Sequence, residues 1–182
     1  MGCGSSKSLD IPTDVVLTKS TDKILQLNII EAENLRSVGL DKIDPFCIVS
    51  FGTRSFKTLF MKNTQSPIWN QHLAFVVTEK EANYGLAFSV HDKDILDPSD
   101  FIGKGIIESI QLYSNDKLND IWIDLTAVKD GVKQDAGRLH ISLQIHTKED
   151  IELNFWKHML QEFDTDKNGG LEKDQLGFLL EG

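Results

Sequence analysis

Six aspartates of this chain fall in two short stretches. Asp41 and Asp44 lie within Leu35–Phe46, and Asp92, Asp94, Asp97 and Asp100 lie within Val90–Gly103. Carboxylates this close repel one another, and water alone relieves that poorly. A hard cation taking roughly six to eight oxygen ligands in flexible geometry suits them, which means Ca²⁺ before Mg²⁺. A third acidic stretch, Asp164-Thr165-Asp166-Lys167-Asn168-Gly169, places oxygen side chains at every second position before a glycine. The first residues offer a different chemistry. In Met1-Gly2-Cys3-Gly4-Ser5-Ser6-Lys7, removal of Met1 exposes Gly2 to myristoylation, and Ser6 stands where that signal wants a hydroxyl. One myristoyl chain holds a membrane only weakly, with an association constant on the order of 10⁴ M⁻¹, and Cys3 beside it is a natural palmitoylation site. The alternative is an unmodified polar tail.

The elements that must carry these groups follow from composition and pattern. The chain has 182 residues, 40 % apolar and 26 % charged, which suffices for one ordinary domain and a small appendage. Its formal net charge of −9 argues against a phosphate-binding surface for nucleic acid. Two cysteines, Cys3 and Cys47, cannot frame a disulfide scaffold, and no apolar run approaches the roughly 18 residues of a membrane span. On composition alone the chain reads as soluble, acidic and intracellular. Residues 1–22 are small and polar, without a period. From Lys23 to His146, short apolar runs alternate with Gly, Pro, Asn and Asp. In the last run Leu139, Ile141, Leu143 and Ile145 alternate with polar neighbours, which predicts a strand with one buried face. Similar runs near 24–31, 46–51, 55–60, 72–78, 85–92, 102–108 and 120–125 predict an eight-stranded antiparallel sandwich. After Thr147 the period becomes helical.

Residues 23–147 resemble a C2 domain. The motifs carrying the resemblance are Asn34-Leu35, Asp44-Pro45-Phe46, Phe56-Lys57-Thr58, Ser66-Pro67-Ile68-Trp69-Asn70, Asp92-x-Asp94 and Asp100-Phe101-Ile102-Gly103, in that order. The resemblance implies a β-sandwich whose loops at one end bind Ca²⁺ and meet anionic phospholipid. Of five acidic positions that usually hold the ions, Asp44, Asp92, Asp94 and Asp100 match. The fifth is Val38; Asp41, three residues later, is the candidate substitute and Asp97 an added ligand from the other loop, so weaker binding or fewer ions is expected. The other reading is a Ca²⁺-silent C2 domain. Val38 and Leu40 in the first loop, with Ile95 and Leu96 in the third, either enter the headgroup layer or pack beneath the loops. Arg54, Lys57 and Lys62 lie on or beside the strand near 55–60, where some family members bind phosphoinositides; a solvated strand face is the expected reading. No strand pattern precedes Lys23, so the strand at 139–145 closes the domain, as in the permuted C2 topology.

Residues 149–182 resemble a single EF-hand. Asp164, Asp166 and Asn168 occupy ligand positions, Gly169 the sharp turn, Gly170 the backbone-carbonyl position and Glu172 the ninth place. Trp156, Met159, Leu160 and Phe163 form one apolar stripe on the entering helix, and Leu176, Leu179 and Leu180 another on the exiting one. Position 12 is Gln175 in place of the bidentate Glu, so the hand either binds Ca²⁺ with help from Glu172 or serves as structure. EF-hands pair, which calls for a second hand, the sandwich or a protein partner.

A C2 domain followed by an EF-hand resembles the regulatory N-terminal region of large phosphatidylserine decarboxylases. Those enzymes cleave themselves at Gly-Ser-Thr, and this tripeptide is absent here. No catalytic motif stands out: His72, His91, His140, His146 and His158 are scattered, and Cys47 reads as core. The expected molecule is a non-catalytic, lipid-anchored adaptor on the cytoplasmic side of a membrane, switched by Ca²⁺ onto anionic phospholipid. The alternatives are a regulatory fragment of such a decarboxylase, and a Ca²⁺-independent protein-interaction module held by its acyl chains.

Overall fold

The computed structural model describes residues 22–37, 42–93, 101–113 and 117–163, with the backbone alone for Phe155 and 158–163. Eight strands and one helix follow in order: β1 (Lys23–Glu33), β2 (Pro45–Phe51), β3 (Arg54–Lys57), β4 (Ile68–Val77), β5 (Leu86–Asp92), β6 (Phe101–Ile107), β7 (Asn119–Lys129), β8 (Val132–His146) and α1 (Lys148–Phe163). They are hydrogen-bonded in the order β3-β2-β5-β6-β7-β8-β1-β4. Between β6 and β7 a single rung, Lys104 opposite Thr126, joins the ladders. The sheet folds there into two four-stranded layers, the eight-stranded antiparallel sandwich expected from the sequence. The last strand lies beside the first, as the permuted order requires.

Alternation explains the layers. Leu25, Leu27 and Ile29 of β1 face Phe75 of β4 and Leu139, Ile141 and Leu143 of β8, all buried. A bulge after Ile29 inserts one residue, so Ala32 regains the core side while Glu31 and Glu33 turn outward. The facing layer contributes Cys47, Val49, Phe51, Phe88 and Val90. Cys47 is core, as expected, and burial pushes its thiol pKa up to about 12, which leaves it inert.

Two differences from the sequence reading matter. β7 and β8 run on past the predicted segments and meet at a two-residue Asp130-Gly131 turn with positive φ at both residues. β4 begins at Ile68, four residues ahead of the run predicted near 72–78, and so takes in Trp69 and Asn70. At the far end, Thr147 caps α1 through Asp150, and Trp156 on that helix is 55 % exposed. The loop at 164–175, its ligands Asp164, Asp166, Asn168, Gly170, Glu172 and Gln175, and the exiting helix lie outside the described residues. So do Gly2 and Cys3.

Candidate metal-binding pole

Strand direction gathers the connections into two poles. β1, β3 and β5 end, and β2, β4 and β6 begin, at one pole, where the β7–β8 turn also lies. Asp44 precedes Pro45, whose ring holds its predecessor extended and whose missing N–H is harmless at the first residue of a strand. Antiparallel pairing then sets Pro45 opposite Asp92. The result brings two of the expected ligands together. The Asp44 backbone N–H donates to Asp92 Oδ1 at 2.6 Å, and Lys93 N–H donates to the Asp44 carbonyl at 3.1 Å. Asp44 Oδ1 in turn accepts from the N–H of Asn63 at 2.8 Å, where Asn63 adopts a φ of 54° in the left-handed region. Asp92 is only 8 % exposed, so its carboxylate is aimed by the fold.

The second loop is laid along β2. Met61 N–H and the Trp69 indole both donate to the Pro45 carbonyl, at 3.0 and 3.4 Å, and Thr64 N–H donates to the Ile43 carbonyl at 2.9 Å. This is the structural use of the Trp69-Asn70 motif: it fixes the strand start on which Asp44 sits. The first loop is tied to the start of β6 by a residue that the sequence did not single out. Arg36 donates from Nε to the Ile102 carbonyl at 2.6 Å and from Nη2 to the Phe101 carbonyl at 2.9 Å. An isolated arginine between Leu35 and Ser37 carries no local signal of such a role, since its acceptors are backbone oxygens of another strand. Leu59, 79 % exposed in the second loop, was likewise missed, although the run Leu59-Phe60-Met61-Lys62 is visible in the sequence. Lys93 Nζ lies 3.6 Å from the Phe60 ring centroid.

Asp41, Asp94, Asp97 and Asp100 lie outside the described residues, as do Val38, Leu40, Ile95 and Leu96. Among the described residues, no three His, Cys, Asp or Glu side chains converge as a metal site. Asp44 and Asp92 nonetheless fit a hard cation. Each carboxylate supplies hard oxygen atoms, and antiparallel pairing of β2 with β5 holds the two at one pole.

The three-cation reading of the strand near 55–60 needs correction. Arg54 does not join a solvated strand face. Its guanidinium lies over the rings of Phe51 and Phe75, pairs with Glu81 at 2.7 Å and donates to the Val76 carbonyl at 2.8 Å, so it struts the edge between the layers. Lys57 is on the opposite face, 3.6 Å from the Phe46 ring centroid. The alternation of a strand separates neighbours that the sequence sets close together.

On the outer face of β1, β7 and β8 there is a further cluster. His140 is held between Glu31 at 3.1 Å and Asp120, and stacks on Trp122 with ring centroids 4.5 Å apart. Arg138 lies 5.0 Å from that indole and pairs with Glu33. Burial pulls the His140 pKa down, but the hydrogen bonds and charges of Asp120 and Glu31 outweigh it, and the net shift is upward. Both ring nitrogens are committed to carboxylates, which makes this a clamp across three strands and not a ligand set.

The fold and this pole define an antiparallel β-sandwich that presents acidic loops at one end. The C2 domain family model matches residues 23–125, and the chain belongs to that family. Phosphatidylserine decarboxylase proenzyme 2 of Komagataella phaffii is 41 % identical over 70 residues, 38 % of this chain and 7 % of that protein. Extended synaptotagmin-3 of Xenopus tropicalis is 30 % identical over 128 residues, 66 % of this chain and 13 % of that protein. The chain thus spans a small part of the length of these relatives. In three dimensions it is similar to the first C2 domain of plant extended synaptotagmin 1, with a TM-score of 0.59 and 22 % identity over 68 % of this chain and 94 % of that one. It is also similar to the calcium-bound tandem C2 domains of extended synaptotagmin 2, with a TM-score of 0.62 and 25 % identity over 79 % of this chain and 52 % of that one. C2 membership implies, in general, a phospholipid-binding module. No helix among the described residues is long and apolar enough to cross a membrane.

Proposed function

We propose that this chain is a Ca²⁺-dependent phospholipid-binding adaptor, held on the cytoplasmic side of a membrane by acyl groups on Gly2 and Cys3, without catalysis of its own. The observation that carries the reading is the joining of Asp44 to Asp92 at one pole, tied by the Asp44 N–H to Asp92 Oδ1 bond of 2.6 Å. Asp94 and Asp100 complete the proposed ligand set, with Asp41 and Asp97 as additions. Bound there, Ca²⁺ would replace a negative local potential by a positive one and offer coordination positions to lipid oxygens. The protein's own part is to hold the carboxylates in place. Arg36 pins the first loop to the start of β6, and Asn63 orients Asp44. The calcium-bound state of the extended synaptotagmin 2 domains supports the same reading.

A second reading is supported by the similarity to phosphatidylserine decarboxylase proenzymes. There the chain is the regulatory part of a longer lipid-metabolising enzyme, with α1 leading into an EF-hand that a second hand completes.

Co-sedimentation of the unacylated protein with phosphatidylserine vesicles, in Ca²⁺ or chelator, tests the first reading. Pelleting in Ca²⁺ alone is expected. Asp94→Asn removes that fraction, and Gln175→Glu leaves it largely unchanged. Equal pelleting in both conditions, or none, rejects the Ca²⁺ switch and leaves the Ca²⁺-independent module.

A further inference from the structure

We propose that the tip of the β7–β8 hairpin, Val128 to Lys133, is a fourth contact of this pole with an anionic phospholipid bilayer. The proposal rests on the docking reading above and adds an element outside the three connections β1–β2, β3–β4 and β5–β6.

The ladder places the tip. From the rung Lys104 opposite Thr126, Phe101 lies three residues toward the pole on β6 and Lys129 three residues toward it on β7, about 10 Å each. On the other side, Glu33, Arg138 and Asp124 are opposite one another, and Lys129 stands five residues beyond Asp124. The ribbon therefore overhangs the last rung of β1 by about 16 Å, at the pole where Asp44 and Asp92 lie. No described part of the sandwich covers it. Residues 128–135 are all exposed, Val128 by 67 % and Val132 by 62 %.

Its composition is matched across the strands. Val128 is opposite Lys133, and Lys129 is opposite Val132. Each face of the ribbon thus presents one branched apolar side chain beside one lysine. Among the described residues, no carboxylate forms an ion pair with either lysine. A soluble ribbon gains nothing from this arrangement, because the valines leave 67 % and 62 % of their surface in water. At a headgroup boundary both halves find partners: the valines enter the acyl edge, and the lysines extend their apolar stems and meet phosphate. Asp130 supplies the left-handed residue that the turn requires, and Asp135 is turned back to accept the Gly137 N–H at 2.9 Å.

The test uses the full chain as a Cys3→Ser variant, since Cys47 is buried. An environment-sensitive fluorophore on Val132→Cys is compared with one on Leu112→Cys, at the opposite pole and 73 % exposed. With phosphatidylserine vesicles and Ca²⁺, the Val132 label is expected to shift to the blue and the Leu112 label to stay in water. Lys129→Gln and Lys133→Gln each weaken vesicle affinity about fivefold, and Lys80→Gln at the opposite pole by much less. A water-like spectrum of the Val132 label on vesicle-bound protein overturns the proposal, whatever the lysine variants do, and leaves the docking reading intact. Failure of the parent protein to bind vesicles overturns both.

Discussion

Asp92 combines two duties in one carboxylate. Its Oδ1 holds the Asp44 N–H, and its charge is part of the proposed ligand set. Asp92→Asn separates them, because the amide oxygen can still accept that hydrogen bond. The expected cost in stability is about 1 kcal/mol, the difference between a charged and a neutral acceptor. The Ca²⁺-induced rise in melting temperature should vanish, since stabilisation by a ligand requires its binding to the folded state. Differential scanning fluorimetry with Ca²⁺ and with chelator reads both. His140 offers a second test at this scale. Its folded pKa is raised by Asp120 and Glu31 against the pull of burial, so the clamp stabilises the fold fully below the unfolded value of about 6.5. That contribution is lost as pH rises through the folded pKa. Urea midpoints of wild type and His140→Gln should therefore differ more at about pH 5.5 than at about pH 8.5. An equal gap at both would show that packing on Trp122, not charge, is what His140 contributes.

At the scale of elements, the β7–β8 hairpin depends on two glycines for different reasons. Gly131 has φ 78°, and a Cβ there would meet nothing within 4 Å. Gly131→Ala bears only the cost of the left-handed backbone, about 1–2 kcal/mol. Gly137 has φ 97°, and a Cβ would lie 2.5 Å from the Glu33 carbonyl oxygen and 2.7 Å from that of Asn34. Those are backbone atoms at the start of the first loop and cannot swing aside. Gly137→Ala should cost clearly more than Gly131→Ala in urea unfolding, and should also weaken Ca²⁺ binding by displacing the strand end that leads to the loop. The converse order of stabilities would show that the backbone around Gly137 yields more readily than its contacts indicate.

For the whole molecule, the poles constrain how an acylated N-terminus could work with the loops. β1 begins at Lys23 on the pole opposite Asp44 and Asp92, and its 11 residues span about 36 Å. Acyl groups at Gly2 and Cys3 and lipid at the loops can engage one membrane only if residues 4–22 bridge that length. Those residues, about 19 of them, reach at most about 65 Å when extended, so the geometry permits it. Deleting residues 8–19 leaves about seven, or about 25 Å, and the two contacts should then exclude each other. Ca²⁺ would no longer lengthen membrane residence of the acylated protein, measurable as dissociation from supported bilayers. Retained Ca²⁺ enhancement would mean that the acyl groups and loops do not act on one surface.

The sandwich was legible because burial writes a period of two into strands such as Leu139 to Ile145. The hairpin tip was not, because neither face of residues 128–135 packs on a core and no alternation marks it. The acidic residues and the Asp-Pro start of β2 could be picked out from type and spacing alone. Arg36 could not, because its acceptors lie 65 and 66 residues away and are backbone oxygens, which no side-chain pattern records. By itself the sequence determined the strands, the closing order and a supply of carboxylates suited to a hard cation. Only the tertiary structure decided that Asp44 and Asp92, 48 residues apart, share a hydrogen bond, and that Arg54 leaves the strand face for the layer edge. The physical reason is register. Local residues choose a strand, but which residue stands opposite which is settled by closing the whole core at once.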